Sequence, residues 1–406
     1  MLRIKAFQGL RPARQFIEEV ACVPYDVVNT AEAGALAVGK PRSLLHVDRA
    51  EIGLPPDTDP YSDAVYARAR ENFLNLQKDG VLVRESAPSL YLYQQRMGTH
   101  SQTGIVAVCH IDDYENNLIK KHERTRPDKE DDRTRLIGTL SADTGPVFLT
   151  YRNRPEIDAL AKKAEWSEPL YDFKAPDGVE HTFWRIVGPE DFVREFGQVP
   201  AAYVADGHHR TASAVRVGRE RRAANPNHTG DEDYNWFLAV LFPASQLRIL
   251  PYNRVVKDLN GLSQEALLTA LRREFAVTPR DWSEAREPGD IMMYLDRQWY
   301  ELAWQPSVEM GIISSLDVSQ LQDKVLAPFL GIDDPRTSKR IDFIGGIRGS
   351  EELVRLVDSG HGAVAFALHP PSVETLMQVA DAGEIMPPKS TWFEPKLRSG
   401  LVIHTF

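Results

Sequence analysis

The chain has 406 residues, enough for two or three domains, with 42% apolar and 26% charged residues, as in ordinary globular enzymes. A formal charge of −10 argues against nucleic acid as the main partner, because that task calls for a basic face. No stretch approaches the ~18 apolar residues of a membrane span, and the N-terminus has no signal-peptide core.

Cys22 and Cys109 sit among Ala21, Val23 and Val108 and read as buried thiols of a reducing compartment, so a cytoplasmic protein is expected. Residues 11–48 mix a short helix with a loop at Pro24-Tyr25-Asp26, and 44–47 has the look of a strand. A helix is expected over 62–77, and strands over 89–96 and 104–111 flank the polar stretch 98–103. The most charged stretch, 112–135, runs into a helix near 136–142, and 147–151 is a strand. Further strands at 170–174 and 181–187, and helices at 157–164 and after Pro189, lead to an apolar strand over 201–205. The run 236–242 is of central-strand type. After residue 259 come a hairpin turned at Asp296-Arg297, a long helix over 318–329, and strands alternating with helices as in βαβ units. The expected division is 1–257, a phosphate-binding domain, and 258–406, a C-terminal α/β domain closing the cleft.

Four groups of residues carry candidate chemistry. In the first, Asp206-Gly207-His208-His209-Arg210 links a strand to a helix N-terminus. Asp206 suits an N-cap and Gly207 frees the bend, leaving amides and the positive helix end facing an anion. His208, His209 and Arg210 add donors, and Arg210 can grip a phosphate with two N–H groups. In the second, Lys120, Lys121, Arg124, Arg126 and Arg133 surround His122 and Glu123. A carboxylate among cations stays ionised, so Glu123 can take a proton or hold a metal-bound phosphate. The second His of a zinc-protease helix is missing. In the third, Lys389-Ser390-Thr391 follows two prolines and offers an ammonium and two hydroxyls to phosphate, without the glycine spacing of a P-loop. In the fourth, Asp342 precedes Gly345-Gly346 at a strand end and suits a metal or a substrate amine. Tyr25 and Asp26 suit a pocket mouth. Each group also has an ordinary structural reading: a capped helix, a solvated loop, a rigid tail or a tight turn.

The order Pro24-Tyr25-Asp26-Val27, His122-Glu123-Arg124-Thr125, Asp206 to Arg210, Pro251-Tyr252-Asn253-Arg254 and Met386-Pro-Pro-Lys389-Ser390-Thr391 resembles that of a bacterial and archaeal family, domain of unknown function number 1015. The resemblance covers nearly the whole chain. The Asp-Gly-His-His-Arg turn is similar to that of archaeal free-serine kinases, which share a fold with the ParB nucleotide-binding domain and sulfiredoxin. That similarity implies a mixed α/β (α+β), ParB/sulfiredoxin-like nucleotide-binding core that uses Gly207, His208, His209 and Arg210 on phosphate. It also implies ATP or ADP with Mg²⁺. Sulfiredoxin's turn carries a catalytic Cys where this chain has His208 or His209, which argues against peroxiredoxin repair. Glu123, taken on charge and context, stands for the kinases' catalytic Glu, with His122 and His209 as its catalytic companions.

The expectation is therefore a phosphotransferase acting on a small hydroxyl metabolite such as free serine. Asp206 to Arg210 would cradle the donor, Arg124, Arg126 and Lys389 would neutralise charge, and Tyr25, Asp26 and Asp342 would hold the acceptor. The alternatives are a nucleotide-gated binding module of ParB type and a phosphatase or phosphodiesterase using the same anion sites. A homo-oligomer is compatible with each; the metal and the acceptor stay open.

Overall fold

The apolar runs of the first 250 residues meet in one nine-stranded sheet in the computed structural model, which describes residues 1–305 and 309–406. Its strands are β1 (Ile4–Lys5), β2 (Leu90–Met97), β3 (His100–His110), β4 (Ile119–Lys120), β5 (Val147–Tyr151), β6 (Tyr171–Lys174), β7 (Glu180–Ile186), β8 (Ala202–Asp206) and β9 (Trp236–Pro243). They lie in the order β4-β8-β5-β9-β3-β2-β7-β6, with β1 beside β3. Only β4/β8 and β5/β9 run parallel. The run 236–242 is apolar throughout because β9 is central and buried along almost its whole length.

Three helices matter for the site: α1 (Asp63–Lys78), α2 (Pro127–Leu140) and α3 (His208–Ala224). Pro127 opens α2 at a position where a missing N–H costs nothing. On one side of the sheet, Ile105, Leu149, Val204 and Ala239 pack with Ala214, Val215 and Val217 of α3. A second apolar cluster joins Val65, Phe73 and Leu76 of α1 to Leu136 and Leu140 of α2.

The chain divides into two units, Met1–Leu247 with Pro395–Phe406, and Arg248–Glu394. This corrects the single cut at 257: the last residues return to the first unit. There Ile403 exchanges backbone hydrogen bonds with Leu10, and His404 faces Asp143 in a short antiparallel pair.

The second unit carries β10 (Tyr252–Val256), β11 (Ala276–Arg280), β12 (Asp290–Leu295), β13 (Gln298–Ala303), β14 (Ile341–Gly345) and β15 (Val364–Leu368). Their order is β11-β13-β12-β15-β10-β14, and every pairing is antiparallel. The expected βαβ units are thus absent from this sheet; its helices connect strands that are not parallel neighbours. The hairpin at Asp296-Arg297 forms as expected, with both residues at positive φ, the two-residue turn that matches strand twist. The long helix expected over 318–329 is a short α-helix, Asp317–Leu321, followed by a π-turn, Gln322–Leu326. Residues 44–47 belong to a helix, Leu45–Asp48, because so short an apolar run fits either period. Both cysteines are buried and free. Among the described residues no helix is long and apolar enough to cross a membrane.

Gly218 lets α3 approach the segment before β9: a Cβ there would lie 2.5 Å from the Tyr234 carbonyl oxygen. Helix propensity alone favours Gly218→Ala by about 1 kcal/mol, but overpacking against backbone costs about 1–3 kcal/mol. We expect a net loss of up to about 2 kcal/mol, read as a lower urea midpoint at unchanged m. Gly34→Ala, in the helix Thr30–Ala37 with nothing within 4 Å of the added Cβ, should instead gain about 0.5–1 kcal/mol.

Candidate functional site

Strand β8 ends in a register shift between Val204 and Asp206, and the next residue turns left-handed: Gly207 has φ 91° and ψ 32°. Few side chains tolerate that conformation, and a Cβ here would also meet the Arg210 guanidinium at 3.0 Å. Gly207 is the N-cap of α3, so no side chain caps the helix. This corrects the expected role of Asp206, whose Oδ1 instead accepts the Gly207 N–H at 2.8 Å. Gly207 is buried and its amide is engaged, so a phosphate grip through that N–H is not available. The first amides of α3 proper lack carbonyls one turn back, as at any helix start.

The Asp206 carboxylate also accepts from Lys396 Nζ at 3.2 Å, and Arg210 Nη2 lies 3.9 Å away. Burial pushes against ionisation, yet Lys396, Arg210 and the Gly207 N–H hold this carboxyl well below the usual carboxylate range. Arg210 is buried too. Its Nη1 donates to the Pro146 carbonyl, and its Nη2 lies 3.6 Å from Asp26 Oδ2. The two carboxylates keep it firmly charged despite burial. Arg210 is therefore committed inward rather than offered to a phosphate, a second correction.

Tyr25 and Asp26 form one 3₁₀ turn beside this network. The Arg133 guanidinium lies over the Tyr25 ring at 4.0 Å and pairs with Asp132 at 2.7 Å. Asp48 is fully buried and accepts from the Thr144 hydroxyl; burial raises its carboxyl pKa. Between Tyr25, Asp48, Arg133, Thr144, Arg210 and Ser399 lies a cavity of ≈ 30 Å³. That holds a water and no acceptor metabolite. Tyr25 is thus brought to Arg210 as a buried wall of this space, whereas Asp26 reaches Arg210 from an exposed position.

The second constellation does join the turn. Residues 121–126 follow β4, the parallel neighbour of β8, so the sheet sets them beside the start of α3. His209 Nε2 accepts the Arg126 N–H at 3.0 Å. The His122 and His208 rings meet edge to face with centroids 4.6 Å apart, and His208 Nδ1 lies 3.9 Å from Glu123 Oε2. One donor atom each from His122, Glu123 and His208 falls within 4.8 Å of the others, a set that could hold a metal ion. Burial and the neighbouring His208 push His122 down to about 3; burial, opposed by Asp206, pushes His208 down to about 4. Both rings are neutral near pH 7, so His122 is a poor proton donor there. Glu123 is half-exposed, and Arg124 and Arg126 are exposed.

Asp342, Lys389, Ser390 and Thr391 belong to the second unit. Asp342 bonds His361 Nε2 at 2.9 Å and pairs with Lys257 at 3.5 Å. Lys389 holds its ammonium 5.6 Å above the Tyr252 ring, and the buried Ser390 donates to the Pro387 carbonyl at 2.6 Å. Arg254 reaches the carbonyls of Pro388 and Lys389 at 3.3 and 3.0 Å. Two of the motifs recognised in the sequence are thus partners inside this unit. Sequence reasoning missed Lys396 and Asp48 as members of the site. Lys396 was visible only as the end of a proline-rich tail, and Asp48 carries no local pattern.

A mixed α/β chain with a histidine–carboxylate cluster at a glycine-started helix is the class that these observations define. The chain belongs to DUF1015, a family of proteins of unknown function, whose family model matches residues 4–319. No curated protein matches it. Among solved structures it is similar to SbnI with C-terminal truncation from Staphylococcus aureus, at 14% identity and TM-score 0.39, over 72% of this chain and 85% of that one. It is also similar to a conserved hypothetical protein from Pyrococcus furiosus, at 13% identity and TM-score 0.38, over 73% and 93%. A free serine kinase in complex with AMP gives 12% and 0.39, over 73% and 91%. Likeness this distant carries no activity from one chain to another.

Removing one partner of this part-buried ion pair strands a charge, so Lys396→Met should cost about 1–3 kcal/mol at pH 7. With Asp206→Asn added, the total loss should be clearly less than the sum of the singles. Asp206 titrates lower folded than unfolded, so its contribution is complete above about pH 4 and is lost as pH falls towards the folded value. The urea-midpoint gap between wild type and Lys396→Met should be full at pH 7 and shrink below about pH 4.

Proposed function

We propose that this protein is a nucleotide-dependent phosphotransferase whose acceptor is a small hydroxyl metabolite such as free serine. The observation that carries the reading is the hydrogen bond from the Arg126 N–H to His209 Nε2, together with the approach of Glu123 to His208. Near these contacts lie a half-exposed carboxylate, the exposed Arg124 and Arg126, the latter paired with Asp128 at 3.0 Å, and a helix start with no side-chain cap. Phosphoryl transfer asks a protein for little else: positive groups and amides to hold the phosphates, and a carboxylate to draw the proton from the attacking hydroxyl. The similarity of the Asp-Gly-His-His-Arg turn to that of free-serine kinases points the same way.

In this reading the amides at the start of α3, with His209, Arg124 and Arg126, hold the nucleotide phosphates. Glu123 accepts the acceptor's proton. Asp206, Arg210 and Lys396 fix the turn from beneath and touch no substrate. Mg²⁺ asks for a shell of oxygens, whereas the donors gathered here are two imidazoles and one carboxylate. No step of the reading is assigned to that ion.

Purified full chain incubated with ATP or ADP, a divalent ion and an amino-acid panel should give phosphoserine by mass spectrometry. Glu123→Gln should lower kcat by roughly 10²–10⁴-fold, the range of general-base catalysis. Absence of nucleotide binding at millimolar concentration would overturn the reading. Phosphate release without any phosphorylated acceptor would replace transfer by hydrolysis.

A further inference from the structure

We propose that His122, Glu123 and His208 form a binding site for a borderline transition-metal dication, of the Mn²⁺, Co²⁺ or Zn²⁺ kind, rather than for Mg²⁺. The three donors come from two elements that the sheet holds side by side: the loop after β4 and the first residue of α3. Their donor atoms lie within 4.8 Å of one another. Metal bonds of about 2.0–2.2 Å need donors about 3–3.5 Å apart, so the widest pair must contract by about 1.3–1.8 Å at most. The Glu123 side chain, 35% exposed, is the member with room to move.

The rings are built as ligands are built. His122 hydrogen-bonds the Val204 backbone carbonyl through its ring, which fixes one nitrogen as N–H and turns the lone pair to the other. His208 is 6% exposed, and its Nε2 is buried with no hydrogen-bond partner among the described residues. The His208 nitrogen that faces Glu123 is Nδ1, at 3.9 Å, which leaves Nε2 to carry the ring proton when an ion is bound. Two imidazole nitrogens and one carboxylate favour borderline dications; Mg²⁺ prefers oxygens and water. Three protein ligands leave coordination positions open, as in catalytic rather than structural sites.

This inference does not rest on the phosphotransferase reading. It competes with it for Glu123, since a carboxylate bound to a metal is a weaker base.

The test uses the full chain without nucleotide. Titration with Co²⁺ should give one bound equivalent and visible ligand-field bands, which Zn²⁺ displaces and excess Mg²⁺ does not. His208→Gln, His122→Gln and Glu123→Gln should each weaken binding by roughly tenfold or more and change the bands. Glu123→Gln lies at a half-exposed position, so it probes the site without threatening the core. His100→Gln, far along the chain in β3, should leave binding unchanged. Bands that survive both Glu123→Gln and His208→Gln, or no bound Co²⁺ at all, would overturn the proposal. A bound metal without phosphoryl transfer removes the kinase reading alone; transfer without bound Co²⁺ removes the metal site alone.

Discussion

An ionised carboxylate inside a protein is unfavourable unless its surroundings supply what water did. Asp206 is that carboxylate here, and Lys396, Arg210 and the Gly207 amide are its replacement solvent. Meeting its needs ties together the end of β8, the left-handed glycine, the first turn of α3 and the tail that returns at Pro395. Arg210 is drawn in turn to Asp26 and to the Pro146 carbonyl, which brings the Tyr25–Val27 turn into the same knot. Such a buried cluster adds little net stability, because desolvation takes back most of what pairing gives. Its contribution is geometric: it holds the start of α3 in one position.

That commitment decides which groups face outward. A guanidinium and an amide that looked like phosphate ligands are used up inside. The outward surface is left to His209, Glu123 and the exposed arginines of the loop after β4. The two histidines beneath stay neutral because burial outweighs the nearby carboxylates. Neutral imidazoles beside a carboxylate make a donor set, whereas charged ones would make an anion site. The second unit shows the same economy with other parts: the Arg254 guanidinium holds the Pro388 and Lys389 carbonyls, and the Ser390 hydroxyl is engaged by the Pro387 carbonyl while Lys389 stays exposed.

Much of the local structure was legible. The helix of α1, the strands around 147–151 and 236–242, and the hairpin at Asp296-Arg297 follow from apolar spacing and turn chemistry. Joining His122 and Glu123 to the Asp206–Arg210 turn rested on charge and context, and the β4/β8 pairing does bring them together. Pairing direction was not legible. Alternating helices and strands suggested a parallel sheet in the second unit, where each strand lies antiparallel to its neighbours. Strand order depends on which faces bury each other, and no local period encodes that.

By itself the sequence determined that a glycine frees the bend between a strand and α3, and that titratable groups would gather at that turn. It also determined the family, through motifs whose order survives without any coordinates. Only the tertiary structure decided which of those groups are consumed in the interior and which remain for chemistry. A side chain's charge is written in its identity, but its exposure and partners depend on residues such as Asp48 and Lys396, distant in the chain. The free energy of a buried ion is set by those neighbours.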